Sequence, residues 1–148
     1  MYSKILIATD GSQLAKKAVE HGLKLASLLE ATAVIVTVTE NWTTLDMSGG
    51  SEAWQQETIA AYEAAAKRSA KAILDEAAEF AASLGVACEG HHVSDRHPAE
   101  GIIEKAELED CDLIVMASHG RRGVRKMLLG SETSEVISSS EKPVLVLR

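Results

Sequence analysis

Residues 113–131 read LIVMASHGRRGVRKMLLGS. The five apolar residues Leu113–Ala117 predict a strand that is buried on both faces. A loop rich in glycine and arginine follows, and Gly130 and Ser131 have the composition of a helix start. A buried strand that leads through a loop into a helix is the repeating unit of α/β proteins.

The same alternation extends along the chain in both directions. Strands are predicted at 4–9, 32–38, 86–93, Leu113–Ala117 and Val144–Leu147. Helices are predicted at 15–29, 52–84, 98–107 and Ser131–Ser139, with a loop at 39–51. Because crossovers between parallel strands are right-handed, this order predicts one α/β domain over residues 1–148, a doubly wound parallel sheet with helices on both faces. The third strand is the most polar, so we expect it at an edge.

Composition excludes several classes of function. The chain has 148 residues and a net charge of −7, with 22 acidic residues against 15 basic ones, and aromatic residues make up only 3%. These values argue against a nucleic-acid binder or a protein of the membrane surface. No apolar run approaches the ~18 residues of a membrane span. The N-terminus has no signal-peptide pattern and the lone Cys88 and Cys111 have no CxxC spacing, so we expect a cytoplasmic protein with reduced thiols.

The loop after the fourth strand is the strongest candidate for a binding site. In parallel sheets, ligands bind beyond the carboxyl ends of the strands where the strand order reverses, which points to the segments after strands one and four. Gly120 and Gly123 allow close approach of the backbone to a ligand, and the helix start at Gly130-Ser131 suits a phosphate. Four basic residues and no acid lie between Gly120 and Gly130: Arg121, Arg122, Arg125 and Lys126. A simple turn with a solvated basic face, in which Ser131 is only a helix cap, is the alternative.

Asp10 follows the first strand, beside the same predicted point of reversal. Its carboxylate could accept hydrogen bonds from ribose hydroxyls or help to hold Mg²⁺ between phosphates. It could equally cap the helix that follows. His119 lies inside the glycine loop, where a polar contact to a ligand and a purely conformational role are both open.

Three histidines, His91, His92 and His97, lie close together in the sequence with Asp95 between them. They raise the question of a zinc site. Adjacent residues of a strand point to opposite faces, so His91 and His92 should diverge. Surface histidines are the simpler interpretation.

Three segments resemble the universal stress protein family, and the resemblance covers the whole chain: the opening KILIATDGS, the segment MASHGRRGVRKMLLGS and the closing KPVLVLR. Nucleotide-binding members of that family carry Gly-x2-Gly-x9-Gly-Ser/Thr. Here Gly120 and Gly130 have nine residues between them, and Ser131 follows. Ala117 replaces the first glycine of the motif, and its methyl group could crowd a phosphate or hinder a positive φ.

The resemblance implies a five-stranded parallel sheet in the order 3-2-1-4-5. It also implies that an adenine nucleotide, ATP or else ADP or AMP, contacts Asp10 near the ribose and the backbone around Val38 near the base. The phosphates would meet the glycine loop and the helix start. The residues expected to contact the nucleotide are Thr9, Asp10, Val38, Ala117, His119, Gly120, Arg121, Gly130, Ser131, Glu132 and Thr133.

The resemblance further implies a homodimer through the last strand, Val144–Leu147, and a regulatory role in the stress response through a protein partner that the sequence does not identify. Two alternatives remain open at this point. One is a dimeric interaction module that works without a nucleotide. The other is a slow ATPase, for which Asp10 and His119 are the only candidates to position water.

Overall fold

The computed structural model describes residues 1–40, 51–120 and 129–148. The strands are β1 (Lys4–Ala8), β2 (Thr32–Thr39), β3 (Cys88–Ser94), β4 (Leu113–Ala117) and β5 (Val144–Leu147). The helices are α1 (Gln13–Leu29), α2 (Glu52–Ser83), α3 (Pro98–Leu108) and α4 (Ser131–Ser139). The strands form one parallel sheet in the order β3-β2-β1-β4-β5, so the expected fold is confirmed. No helix within the described ranges is long and apolar enough to cross a membrane.

Successive residues of the central strand β1 point to opposite apolar layers. Ile5 and Ile7 pack with residues of α1 and α2, whereas Leu6 and Ala8 pack with residues of α3 and α4. The close contact of α1 with the sheet depends on Gly22, where a Cβ atom would lie 2.6 Å from the Ile7 side chain. Each face of the sheet is thus covered by a pair of helices, and the two ends of the sheet remain for polar interactions.

The element ends differ from the prediction by one or two residues, and hydrogen bonds explain where they fall. β3 begins two residues later than predicted because the chain leaving α2 is still turning. Gly85 has a φ of 69° and its N–H donates to the Ala82 carbonyl, while the Val86 N–H donates to the Ala81 carbonyl at 3.0 Å. This pattern is a Schellman motif, which requires a left-handed residue at the position of Gly85. β3 pairs only with β2, so its predicted place at an edge is confirmed.

The amino end of the sheet is closed by a polar network. The carboxylate of Asp112 accepts hydrogen bonds from the Ser3 N–H at 2.8 Å, the Ser3 hydroxyl at 2.7 Å and the Lys4 N–H at 3.2 Å. Burial raises the pKa of Asp112, but these hydrogen bonds outweigh it and leave the pKa below its ordinary value. Nearby, Glu109 pairs with Lys105 at 2.9 Å and with Lys4 at 3.1 Å, and these two ammonium groups lower its pKa to about 2.

Candidate functional site

A cavity of about 690 Å³ opens at the opposite, carboxyl end of the sheet. Its volume lies in the range of pockets that hold drug-sized ligands and cofactors. Its lining comes from the ends of β1, β2 and β4, from the middle of α2 and from the first turns of α3 and α4. The strand order reverses between β1 and β4, so the cavity lies where doubly wound sheets bind ligands.

The cavity brings together every residue of the predicted set except Arg121. These residues are Thr9, Asp10, Val38, Ala117, His119, Gly120, Gly130, Ser131, Glu132 and Thr133. Arg121, together with Arg122, Gly123, Arg125 and Lys126, lies outside the described residues. The predicted segments after the first and fourth strands therefore face one common space.

The turn after β1 presents Asp10 to this space. Gly11 has a φ of 77°, and its N–H donates to the Thr9 hydroxyl at 3.2 Å. One carboxylate oxygen of Asp10 accepts the N–H of Ser12 at 2.9 Å, and the Ser12 hydroxyl accepts the N–H of Ala15 at 3.3 Å. Ser12 is thus the cap of α1, and the alternative in which Asp10 has that role is wrong. The Asp10 carboxylate instead fixes the turn and borders the cavity.

Gly120 lies directly against this carboxylate. A Cβ atom at Gly120 would lie 2.4 Å from Oδ2 of Asp10, a distance at which one of the two residues would have to move. The two loops at the point of reversal therefore touch at a position where a Cβ atom fits only if the Asp10 carboxylate moves. The close approach, rather than an unusual backbone conformation, explains this glycine.

After residues 121–128, which lie outside the described ranges, the chain continues beside the end of β4. The Gly130 N–H donates to the Ser118 carbonyl at 2.7 Å. The buried Thr133 hydroxyl lies 2.9 Å from the Ala117 carbonyl oxygen and 3.1 Å from that of Ser118, and donates to this pair. These bonds attach the first turn of α4 to the end of β4, so the helix N-terminus is held at the cavity. The Thr133 hydroxyl thus links α4 to the end of β4, and its contact with phosphate stays a prediction.

Ala117 does not disturb this arrangement. It ends a regular strand, pairs with Leu147 and packs with Ala15 and Ala18 of α1. It is not among the residues with positive φ in the described ranges. The conflict with a positive φ that was considered for Ala117 therefore does not arise, and the effect of its methyl group on a phosphate stays a prediction.

α4 differs from α1 and α2 at its N-terminus. Ser12 and Ser51 cap α1 and α2 through their hydroxyl groups. The cap residue of α4 is Gly130, and no described side chain accepts a hydrogen bond at this helix start. Ser131, the first helical residue, is exposed and lines the cavity. An uncapped helix start of this kind offers N–H groups and a positive dipole end to an anion.

His119 and Glu132 flank the same end of the cavity. His119 Nδ1 lies 3.1 Å from the Ser118 hydroxyl. The Glu132 carboxylate accepts the N–H of Ala99 at 3.1 Å and so caps α3, whose own cap residue His97 makes no side-chain cap bond. Glu132 thus links the starts of α3 and α4.

The other end of the cavity is apolar and was only partly predicted. Val38 lies there, at the carboxyl end of β2, and Tyr62 of α2 donates a long hydrogen bond to the Glu40 carbonyl at 3.4 Å. Sequence reasoning missed the contribution of α2, which consists of Tyr62, Ala65, Ala66, Ser69, Ala70 and Ile73. The small side chains of Ala65, Ala66, Ser69 and Ala70 were the available signal, because they leave open space between a helix and a sheet.

The three neighbouring histidines do not form one cluster. His91 faces Glu109 at the end of α3, with Nε2 3.8 Å from a carboxylate oxygen. His92 Nε2 lies 2.8 Å from the Thr39 hydroxyl, and burial together with Lys67 lowers the pKa of His92. The two side chains diverge, as the strand alternation predicts, and His97 lies at the start of α3.

Comparison with known proteins gives a consistent result. A model of the universal stress protein family matches residues 1–148. Universal stress protein YxiE of Bacillus subtilis is 32% identical over 149 residues, which cover all of both chains. The solved structure of protein MJ0577 of Methanocaldococcus jannaschii matches with a TM-score of 0.84 and 29% identity over 99% of this chain and 96% of that one. A universal stress protein solved in complex with cAMP matches with a TM-score of 0.71 and 24% identity over 98% of this chain and 95% of that one.

Proposed function

Because this chain belongs to the universal stress protein family, we propose that it binds an adenine nucleotide, with ATP as the preferred form, and acts as a nucleotide-controlled regulator in the stress response. The observation that carries the proposal is the uncapped start of α4, which opens onto the same cavity as Asp10. A helix dipole and free amides on one side and a carboxylate on the other suit a nucleotide whose phosphates and ribose are adjacent.

The phosphates occupy the end of the cavity formed by Gly120, Gly130 and Ser131. The backbone N–H groups of the first turn of α4 and the Ser131 hydroxyl are the donors. The cationic loop that begins with Arg121 supplies charge for several phosphates.

Asp10 accepts hydrogen bonds from the ribose hydroxyls. When Mg²⁺ accompanies the phosphates, the same carboxylate is its protein ligand, since Mg²⁺ prefers oxygen ligands and keeps several waters. Because Gly120 lies against Asp10, even an added methyl group at Gly120 would move the Asp10 carboxylate.

The base occupies the apolar end, between the carboxyl end of β2 and the small residues of α2. Backbone groups near Val38 bond the adenine edge, and Ala65, Ala66 and Ala70 leave room for a planar ring. The relative that was solved with cAMP holds a ligand with the same base.

We also propose that two copies pair through β5. This strand is bonded only to β4, and Leu145 at its centre is 40% exposed. A second β5 would cover both the open backbone edge and this side chain. Light scattering on Leu145→Glu should then report a monomer, and a dimer that persists in this variant would refute the pairing.

Isothermal titration with ATP and Mg²⁺ tests the nucleotide proposal, with GTP as the competitor. We expect saturable binding of ATP, a higher Tm and weaker binding of GTP. Gly130→Glu places a carboxylate at the start of α4, with its Cβ atom 3.2 Å from the Ser118 carbonyl oxygen, and should abolish binding while circular dichroism still reports a folded protein. The absence of both binding heat and a Tm shift at millimolar ATP would refute the proposal.

A further inference from the structure

A second group of potential ligands lies at the rim of the cavity, between two helices. His97 immediately precedes α3, and Glu132 and Glu135 lie one turn apart on α4. Nδ1 of His97 is 3.3 Å from Oε2 of Glu132 and 3.8 Å from Oε2 of Glu135. One ligand atom from each of the three residues lies within 4.8 Å of the other two.

These separations suit a shared cation. With metal–nitrogen and metal–oxygen bonds of about 2.0–2.2 Å, two ligands of a tetrahedral ion are about 3.4 Å apart. An imidazole with two carboxylates is a ligand set for a divalent transition metal such as Zn²⁺, Co²⁺ or Ni²⁺. The three side chains are between 36% and 44% exposed, so an ion can reach them from solvent.

The charge balance distinguishes this group from a similar one elsewhere. No lysine or arginine of the described ranges pairs with Glu132 or Glu135, and His97 is the side chain that contacts both carboxylates. Glu89, His91 and Glu109 form the comparable group, but Lys4 and Lys105 both pair with its Glu109 carboxylate. A divalent cation would therefore meet two ammonium groups beside Glu109, whereas no described lysine or arginine pairs with the carboxylates between α3 and α4.

The orientation of Glu132 is set by a bond outside the group. Its Oε2 accepts the N–H of Ala99 at 3.1 Å, which fixes the carboxylate at the start of α3. A ligand held by a backbone donor is preorganised, as the supporting bonds around metal ligands commonly are.

We propose that His97, Glu132 and Glu135 form a binding site for one divalent transition-metal ion, which joins the start of α3 to α4. Three protein ligands leave at least one coordination position for water. The site is independent of the nucleotide, because its ligands come from the protein alone. Its occupation would stiffen the wall of the cavity that Glu132 lines.

The test is a titration of the metal-free protein with Co²⁺, followed by its visible absorption, and with Zn²⁺ by calorimetry, both without nucleotide. We expect one ion per chain, ligand-field bands of bound Co²⁺ and a higher Tm with Zn²⁺. Glu135→Gln and His97→Gln should each weaken binding by at least about tenfold, and the double variant should lose the bands. His97 makes no side-chain cap bond, so its replacement removes no helix cap.

His21→Gln and Glu141→Gln are the matched controls, because they remove an exposed imidazole and an exposed carboxylate elsewhere. Both should bind Co²⁺ as the parent protein does. Absence of bands in the parent protein, equal binding by the double variant, or loss of the bands in His91→Gln would overturn the proposal. Failure of ATP binding would leave these results unchanged, so the two proposals fail separately.

Discussion

The two ends of the sheet differ in how their polar groups are used. At the amino end, Asp112 accepts three hydrogen bonds from Ser3 and Lys4, and Glu109 is held between two lysines. At the carboxyl end, the first turn of α4 has no side-chain cap from the described residues and faces a cavity together with Asp10. Each end contains carboxylates and helix termini, and the difference between them is the start of α4, which no described side chain caps.

The contrast separates stability from binding within one sheet. Polar groups that satisfy one another stabilise the folded chain, whereas a helix start left open can satisfy a ligand. Substitutions at the amino end should therefore change the free energy of unfolding, and those at the carboxyl end the affinity for nucleotide.

The largest expected effect is at the carboxyl end, in Gly120→Ala. The new methyl group would lie 2.4 Å from Oδ2 of Asp10 and would displace this carboxylate from the cavity. Loss of its charged hydrogen bonds should weaken ATP binding by about a hundredfold, or about 2.8 kcal/mol. Calorimetry measures the affinity. Gly90→Ala is the control, because its Cβ atom would meet only the Leu74 side chain at 3.5 Å. Unchanged ATP affinity in Gly120→Ala would contradict the assignment of nucleotide binding to the carboxyl end.

The next effect is at the amino end, in Asp112→Ala. This substitution leaves the N–H groups of Ser3 and Lys4 without their carboxylate acceptor. We expect unfolding in urea to show a loss of about 2 kcal/mol, with ATP affinity unchanged within about twofold. Asp112→Asn keeps one acceptor oxygen and should lose less. A weakened ATP affinity with normal stability would reverse the assignment of the two ends.

A pH effect of smaller size is expected from Glu109. Its pKa is about 2 in the folded chain, against 4.5 for the ordinary group, because Lys105 and Lys4 favour the ionised form. The stabilisation is thus fully present above about pH 4.5 and is lost as the pH falls towards 2. The Tm of the parent protein should exceed that of Glu109→Gln at neutral pH, and the gap should close in acid. A gap that is independent of pH would contradict the ion-pair account.

The smallest effect is expected at the C-terminal ends of α1 and α2, near the amino end of the sheet. Glu30 closes α1 with a φ of 56°, a left-handed conformation that costs energy for any residue with a Cβ atom. Glu30→Gly should raise the free energy of unfolding by about 0.5 kcal/mol, after the entropy cost of glycine. Gly85→Ala should lower it by about 1 kcal/mol, since Gly85 has a φ of 69° at the equivalent place in α2. Thermal unfolding of both variants measures this, and changes of equal sign would refute the explanation.

Local patterns predicted the elements of this fold well. Apolar runs and helical periodicity identified all five strands and four helices, because these signals depend on neighbouring residues. Gly85 was a visible helix stop, whereas Glu30 adopts a left-handed conformation that its residue type does not favour. The end of α1 at Leu29 was predicted, but the left-handed conformation of Glu30 after it was not.

The site was predicted where it follows from the strand order, and missed where it depends on long-range packing. Asp10 and the glycine loop follow from the position of ligands in doubly wound sheets and from the family resemblance. The contact of Gly120 with Asp10 and the grouping of His97 with Glu132 and Glu135 join residues far apart in sequence. The part of α2 that lines the cavity depends on how this helix crosses the sheet, which periodicity does not specify.

A crystal structure of the protein grown with excess ATP and Mg²⁺ tests the central claim most directly. The account predicts phosphates against the first turn of α4, the ribose beside Asp10 and the base between β2 and α2. An empty cavity at saturating ATP, or a nucleotide bound anywhere else on the molecule, would contradict it.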